Sequence, residues 1–325
     1  MHDPAESAVG NEYFPADIFT GFGAAKTKFI LNAAKEGKKA DVVILSHINL
    51  LLAAWLIKKK NPSTQIILMA HGIEIWGKIS AQKRMMLNVC DKIVSVSTYT
   101  KNRIIEEQGF PIDKCFVLNN CIDPFLQRPL VKKRAANLID RYNLKENDIV
   151  LFTLTRLSER DRYKGYDYVL ESLQNIIKRH PNLKYILAGG YTENEKLFID
   201  SKIALYGLSE VVILTGFLPD DELAQHFSMT DIYIMPSIKE GFGIVFVEAM
   251  YYGVPVIAGN ADGSVDALLN GELGMLIETE SKDAITTALE KLIVNKEAYK
   301  PNGTLLMENF GYEAYKRKIE TLLVS

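Results

Sequence analysis

From residue 41 to the C-terminus, short apolar runs alternate with longer stretches of helical period, which restricts the chain to an open α/β architecture. The runs at 41–46, 65–70, 92–97 and 115–119 are β-prone and bounded by polar residues, so each reads as a buried strand. Helical spacing fills the gaps at 49–60, 80–90 and 98–108. A polar, basic stretch at 130–148 breaks the rhythm and reads as a linker. Beyond it, strands are expected at 149–154, 184–188, 211–214, 231–235, 255–258 and 275–277, with helices at 166–179, 193–206, 220–227, 243–252 and 282–294. Such alternation implies right-handed crossovers and parallel sheets. The expected fold class is therefore α/β, with two Rossmann-like domains. Their expected bounds are 1–130 and 148–307, with a linker at 131–147 and a closing helical segment at 308–325. A chain of 325 residues with 48% hydrophobic content can fill two such cores.

The net charge of −2 gives no general reason to expect nucleic acid as a partner. Two local basic runs, Lys58-Lys59-Lys60 and Lys132-Lys133-Arg134, read first as solvated helix ends or linker. Peripheral contact with a membrane surface is the other use open to them. The longest apolar run, residues 50–57, is far too short to span a bilayer. No basic-then-apolar signal segment opens the sequence. Cys90, Cys115 and Cys121 are scattered and fit no zinc spacing, so a reduced, cytoplasmic protein is the economical expectation.

Chemistry concentrates in Pro236-Ser-Ile-Lys-Glu-Gly-Phe-Gly-Ile-Val-Phe-Val-Glu-Ala-Met250. The strand expected at 231–235 feeds Gly241-Phe242-Gly243, and the pattern then turns helical. Ligands of α/β proteins bind at such strand ends, and helix N-termini favour anions such as phosphate. Glu240 stands just outside the helix and Glu248 more than a turn inside it. One can meet a ligand at the helix mouth while the other accepts hydroxyl hydrogen bonds further along. A diphosphate between two polyol rings, as in a nucleotide sugar, satisfies this arrangement. Read without its surroundings, the same stretch is a Gly-rich turn and a helix with one exposed Glu.

This stretch resembles the Glu-x7-Glu signature of the retaining glycosyltransferases of family 4, with Pro-Ser before it and Glu-Ala-Met after it. The likeness continues through Gly253-Val-Pro-Val-Ile257 and the loop from Gly263 to Gly274. It covers most of the chain from about Asp41 onward. The resemblance implies the GT-B fold, two Rossmann-like domains facing a cleft, with the closing helix returning to the first. It places the acceptor in the first domain and the nucleotide-sugar donor in the second.

A basic residue at the end of one strand, Arg156, and another at the start of a helix, Lys164, can both reach a diphosphate. In the family a Gly-Arg-Leu segment and a Lys-Gly segment supply these cations. Here the first reads Thr155-Arg156-Leu157 and the second Lys164-Gly165. Phe217 and Leu218 resemble the segment that offers backbone groups to the nucleobase. His71-Gly72, closing the second expected strand, resembles the His-Gly step that brings an imidazole to the transferred sugar. The candidate catalytic residues are thus His71 and Glu240. The candidate donor-binding residues are Arg156, Lys164, Phe217, Leu218, Gly241, Phe242, Gly243 and Glu248. No Asp-x-Asp occurs in the chain, so no metal and no other cofactor is expected. No Ser/His/Asp or Cys/His set suggests a covalent nucleophile.

The resemblance implies transfer of a hexose from a donor such as a UDP- or GDP-hexose to a glycan or lipid-linked acceptor, with retention of configuration. It also implies residence in the cytoplasm or peripherally at the inner face of the membrane. Relatives open with a strand, a glycine-rich loop and a helix. Gly21-Phe22-Gly23 imitates that loop, but the preceding residues 13–19 carry Pro15 and Asp17 and make a poor central strand. We expect the first βα unit to be missing and the first sheet to hold about four strands. Two rival readings remain. An epimerase or a hydrolase-like enzyme on the same fold would convert donor without acceptor, and a truncated binder would hold nucleotide without turnover.

Overall fold

The buried β-branched runs form ten strands among residues 12–126 and 134–324, the part of the chain described by the computed structural model. In the first unit these are β1 (Val42–Leu45), β2 (Gln65–Ala70), β3 (Lys92–Ser95) and β4 (Cys115–Val117). They lie side by side in chain order, every pairing parallel. The helices between and before them are α1 (Lys26–Gly37), α2 (Leu51–Lys60), α3 (Ala81–Leu87) and α4 (Thr98–Arg103), the last prolonged by a π-turn over Ile104–Gln108. Among the described residues upstream of α1 the backbone makes a 3₁₀ turn, Ala16–Ile18. Within this sheet, among the described residues, β1 has β2 as its sole partner.

The second unit contains β5 (Ile149–Leu154), β6 (Leu183–Ala188), β7 (Val212–Gly216), β8 (Ile232–Met235), β9 (Val256–Gly259) and β10 (Met275–Ile277). Its helices are α5 (Ala136–Tyr142), α6 (Tyr166–Arg179), α7 (Glu193–Leu205), α8 (Asp220–Met229), α9 (Ile244–Tyr251), α10 (Ser264–Ala267), α11 (Lys282–Val294), α12 (Gly303–Phe310) and α13 (Tyr312–Val324). The sheet order is β10-β9-β8-β5-β6-β7, again all parallel. The chain builds outward from β5 through β6 and β7, then crosses back to start β8 on the other side of β5. The β5–β8 junction is therefore a topological switch point. Outside the strand ends there, the flanking connections diverge to opposite faces and leave room for a ligand.

Strand alternation splits the core of this unit between the two faces of the sheet. Val150, Phe152, Tyr233, Met235 and Val256 point to one side, where Phe227, Phe246 and Met250 close over them. Leu151, Tyr185, Ile232, Ile234 and Ile257 point to the other, under α6 and α11. The compact units are Met1–Ser95 with Thr100–Val117, and Val96–Tyr99 with Leu118–Ser325.

One expectation needs correction. The stretch at 130–148 is not all linker: α5 forms there because Leu138 is wholly buried in the second unit's core, with Ile139 and Tyr142 packed beside it. Lys132 and Lys133 of the basic run lie outside the described residues. Helix α13 fills the closing segment, as the sequence leads one to expect, with α12 directly before it. Gly311 separates α12 from α13, and α12 starts on Asn302, whose side chain accepts from Thr304 N and Leu305 N at 3.0 and 3.1 Å.

Candidate functional site

Three connections meet at the C-terminal edge of the second sheet, and glycines let them approach. After β8 the chain runs Pro236 to Gly243, and Gly243 enters α9 at φ +83°. A Cβ there would fall 2.4 Å from the Phe246 ring. The 3₁₀ turn Arg162–Lys164 ends in Gly165, also left-handed at φ +78°, where a Cβ would lie 2.6 Å from the Pro236 carbonyl oxygen. Ile238 N donates to Tyr163 O at 3.0 Å and ties these two segments together.

The third connection, after β9, grips Glu240 by its backbone. Gly263 N donates to Glu240 O at 2.9 Å, while the Asp262 carboxylate accepts from Glu240 N at 2.6 Å and from the Ser237 hydroxyl at 2.7 Å. Asp262 also accepts from Ser264 N at 2.9 Å. Burial raises its pKa, and these donors oppose the rise by favouring the charged form. A Cβ on Gly263 would sit 2.1 Å from Gly241 O, so the two loops are in backbone contact.

The side chain so placed meets Lys164. The Lys164 ammonium and the Glu240 carboxylate form an ion pair, with side-chain exposures of only 14% and 12%. Arg156, just past β5, reaches outward with 78% of its side chain exposed, steadied by Asp161 at 3.1 Å. Asp161 is itself fixed by the Ser158 hydroxyl at 2.6 Å. Both cations thus flank the β5–β8 switch point, Lys164 half-buried against Glu240 and Arg156 presented outward.

Glu248 lies on α9 one turn further in. Its carboxylate takes no hydrogen bond among the described residues. Its pKa is raised chiefly by burial, then by the negative charges of Asp123 and Asp220. An acceptor held half-buried without a donor is suited to hydroxyls that arrive with a ligand.

The other expected residues divide. Phe242 is buried and packs edge-on to Phe310 at 5.5 Å between ring centroids. Leu218 is likewise a core residue, whereas Phe217, directly after β7, is 76% exposed. His71, in the first unit, has Nε2 2.9 Å from Ser46 O, so that nitrogen carries the proton and donates. Its backbone N–H donates to the Glu74 carboxylate at 2.6 Å. Among the described residues no three or more His, Cys, Asp or Glu side chains gather as a metal site would require.

Sequence reasoning missed Asp262, Ser237 and Gly165's contact with Pro236. Asp262-Gly263-Ser264 reads locally as a turn before a helix. Its real partner, the Glu240 peptide, is 22 residues away in sequence and becomes a neighbour only through the β8–β9 pairing.

A parallel sheet of this order, with a switch point at its middle, defines a doubly wound α/β protein. Comparison with known proteins is more specific. Residues 135–317 match the family described as glycosyl transferases group 1, and residues 6–125 match Glycosyltransferase Family 4. The chain belongs to the glycosyl transferases group 1. A GDP-mannose-dependent alpha-(1-6)-phosphatidylinositol monomannoside mannosyltransferase of Mycolicibacterium smegmatis is 30% identical over 250 residues, covering 74% of this chain and 63% of that protein. The capsular polysaccharide biosynthesis glycosyltransferase CapM of Staphylococcus aureus is 26% identical, covering 69% of this chain and 56% of that one. The chain thus spans less than two thirds of the length of these curated relatives. Among solved structures, Anabaena Alr3699/HepE in complex with UDP and glucose shares the fold at a TM-score of 0.77 and 18% identity, covering 94% of this chain and 84% of that one. A Rickettsia africae glycosyltransferase follows at 0.74 and 20%, covering 94% and 83%.

Proposed function

We propose that the chain transfers a hexose from a UDP- or GDP-hexose to a glycan or lipid-linked acceptor, with retention and without a metal. The observation that carries this reading is the convergence of Lys164, Glu240 and Arg156 on one switch point beside the N-terminus of α9. Lys164 can exchange Glu240 for a phosphate oxygen, which leaves Glu240 to accept from a sugar hydroxyl. Arg156 binds the diphosphate from the open side, and the N–H groups at the start of α9 add to the same charge. Glu248 takes the ribose hydroxyls. Gly241, Gly243 and the backbone at Phe242 let the ligand approach, and Phe217 with Leu218 borders the base. Relatives named for GDP-mannose and structures bound to UDP support a nucleotide-sugar donor.

With no covalent nucleophile assigned, the acceptor hydroxyl attacks from the face that the diphosphate leaves. The protein's work is to position both and to stabilise charge on the departing phosphate. His71 hydrogen-bonds the transferred sugar through Nδ1, the nitrogen not engaged by Ser46. Lys38 and Lys39 join Lys58, Lys59 and Lys60 where the ends of α1 and α2 meet, Asn61 Nδ2 bridging to Lys38 O at 2.9 Å. That basic edge is our candidate for peripheral contact with anionic lipid.

Calorimetry with UDP and GDP tests the core of the proposal. A charge-assisted contact contributes about 1.5–3 kcal/mol, so Lys164→Ala or Arg156→Ala should each lose roughly tenfold or more in affinity. Undiminished affinity in both variants would refute the assignment. Strong inhibition of transfer by EDTA, reversed by magnesium or manganese, would refute the metal-free part.

A further inference from the structure

Lys164 stands between two residues fastened to one hidden carboxylate. Glu195, with no exposed surface, receives Arg162 Nε at 3.0 Å on each oxygen and Arg162 Nη2 at 2.9 Å on Oε2. The Tyr166 hydroxyl donates to its Oε1 at 2.7 Å. Arg162 also lies 3.7 Å over the Phe198 ring, which fixes the guanidinium plane. Glu195 occupies the third position of α7, where Thr192 Oγ1 accepts its N–H at 3.2 Å. A carboxylate there usually turns back to the cap's own backbone N–H. Here it is diverted to a neighbouring loop.

An ion pair with its carboxylate fully buried adds little net stability, because desolvation offsets much of the attraction. Its consequence here is geometric. Arg162 O accepts from Gly165 N at 2.9 Å, and Asp161 O accepts from Lys164 N at 3.0 Å, so the turn is closed tightly on itself. With its first residue held by Glu195 and the following Tyr166 held by the same group, the turn fixes where the Lys164 side chain leaves the backbone. We propose that Glu195 is a positioning residue that, through Arg162 and Tyr166, aims the Lys164 ammonium at the donor diphosphate. The inference rests on the reading of Lys164 as a diphosphate ligand. It extends the site to a carboxylate that no motif marks.

The test is a double-mutant cycle on the whole chain, with UDP, GDP, uridine and guanosine titrated calorimetrically below the melting temperature of every variant. Glu195→Gln should weaken diphosphate binding about five- to tenfold, the scale of coupling within one network, and leave nucleoside binding unchanged. In a Lys164→Ala background the same substitution should change diphosphate affinity by less than about twofold. Equal losses in both backgrounds, or equal losses for diphosphate and nucleoside, would reduce Glu195 to a packing residue and overturn the proposal. If Glu195→Gln does not fold, Arg162→Lys, which keeps the charge and loses the fork, must give the same diphosphate-specific loss. A wild-type chain that binds neither diphosphate removes the reading of the site itself, and the proposal with it. Binding by the wild type with additive effects removes the proposal alone.

Discussion

At the scale of the residue, the proposed role of Glu248 sets function against stability. Its raised pKa means that the ionised form is disfavoured in the folded chain. A carboxyl whose folded pKa exceeds its unfolded value contributes stability that is fully present below the unfolded value, near 4.3, and is lost as pH rises through the folded one. At neutral pH Glu248 therefore burdens the fold. Glu248→Gln should raise the melting temperature at pH 7 by about 1–4 °C, a gain that vanishes near pH 4. The same substitution should weaken nucleoside diphosphate binding about tenfold by removing a charged acceptor. Thermal melts across pH, run beside calorimetry, check both. A variant that binds as tightly as the wild type would return Glu248 to the fold alone.

At the scale of the element, the loops after β5, β8 and β9 act as one body because backbone meets backbone. Gly263→Ala would place a methyl group 2.1 Å from Gly241 O, and neither chain has a flexible end to withdraw. Overpacking of this kind costs about 1–3 kcal/mol. We expect a melting temperature lower by roughly 2–10 °C, and diphosphate affinity lower by about tenfold because the Glu240 peptide must move. Unchanged affinity would show that the grip on Glu240 is not what holds the site. This is also where reading the sequence stopped. The ten strands were legible because each is a short apolar run between polar bounds, and Lys164, Glu240 and Glu248 could be named as candidates because they follow motifs along the chain. Helices α5 and α12 were not. The first is short and follows a basic run, with only Leu138 wholly buried, and the second opens on glycine behind a proline. The Lys164–Glu240 pair and the Asp262 clamp were equally hidden, since their partners stand 76 and 22 residues apart.

At the scale of the whole molecule, the path of the chain matters more than the count of elements. The chain leaves the first unit after β3, contributes Val96–Tyr99 to the second, and returns for Thr100–Val117 before passing over finally at Leu118. Val96 is buried in the same core as Phe152 and Tyr233, and Asn119 Nδ2 donates to its carbonyl at 3.0 Å. One residue earlier, Ser95 pairs with Ala70 and Val117 in the first unit's sheet. A truncation at Val96 should therefore be felt in the unit that does not contain β3. Val96→Ala removes buried methyl groups, and such deletions cost on the order of 1–3 kcal/mol where the site cannot collapse. Native-state hydrogen exchange should report faster opening of amides in β5 and β8, while those of β2, including Ile67 and Leu68, keep their protection. Protection lost first from β2 would assign Val96 to the first unit's core, and the path would then be a simple single crossing.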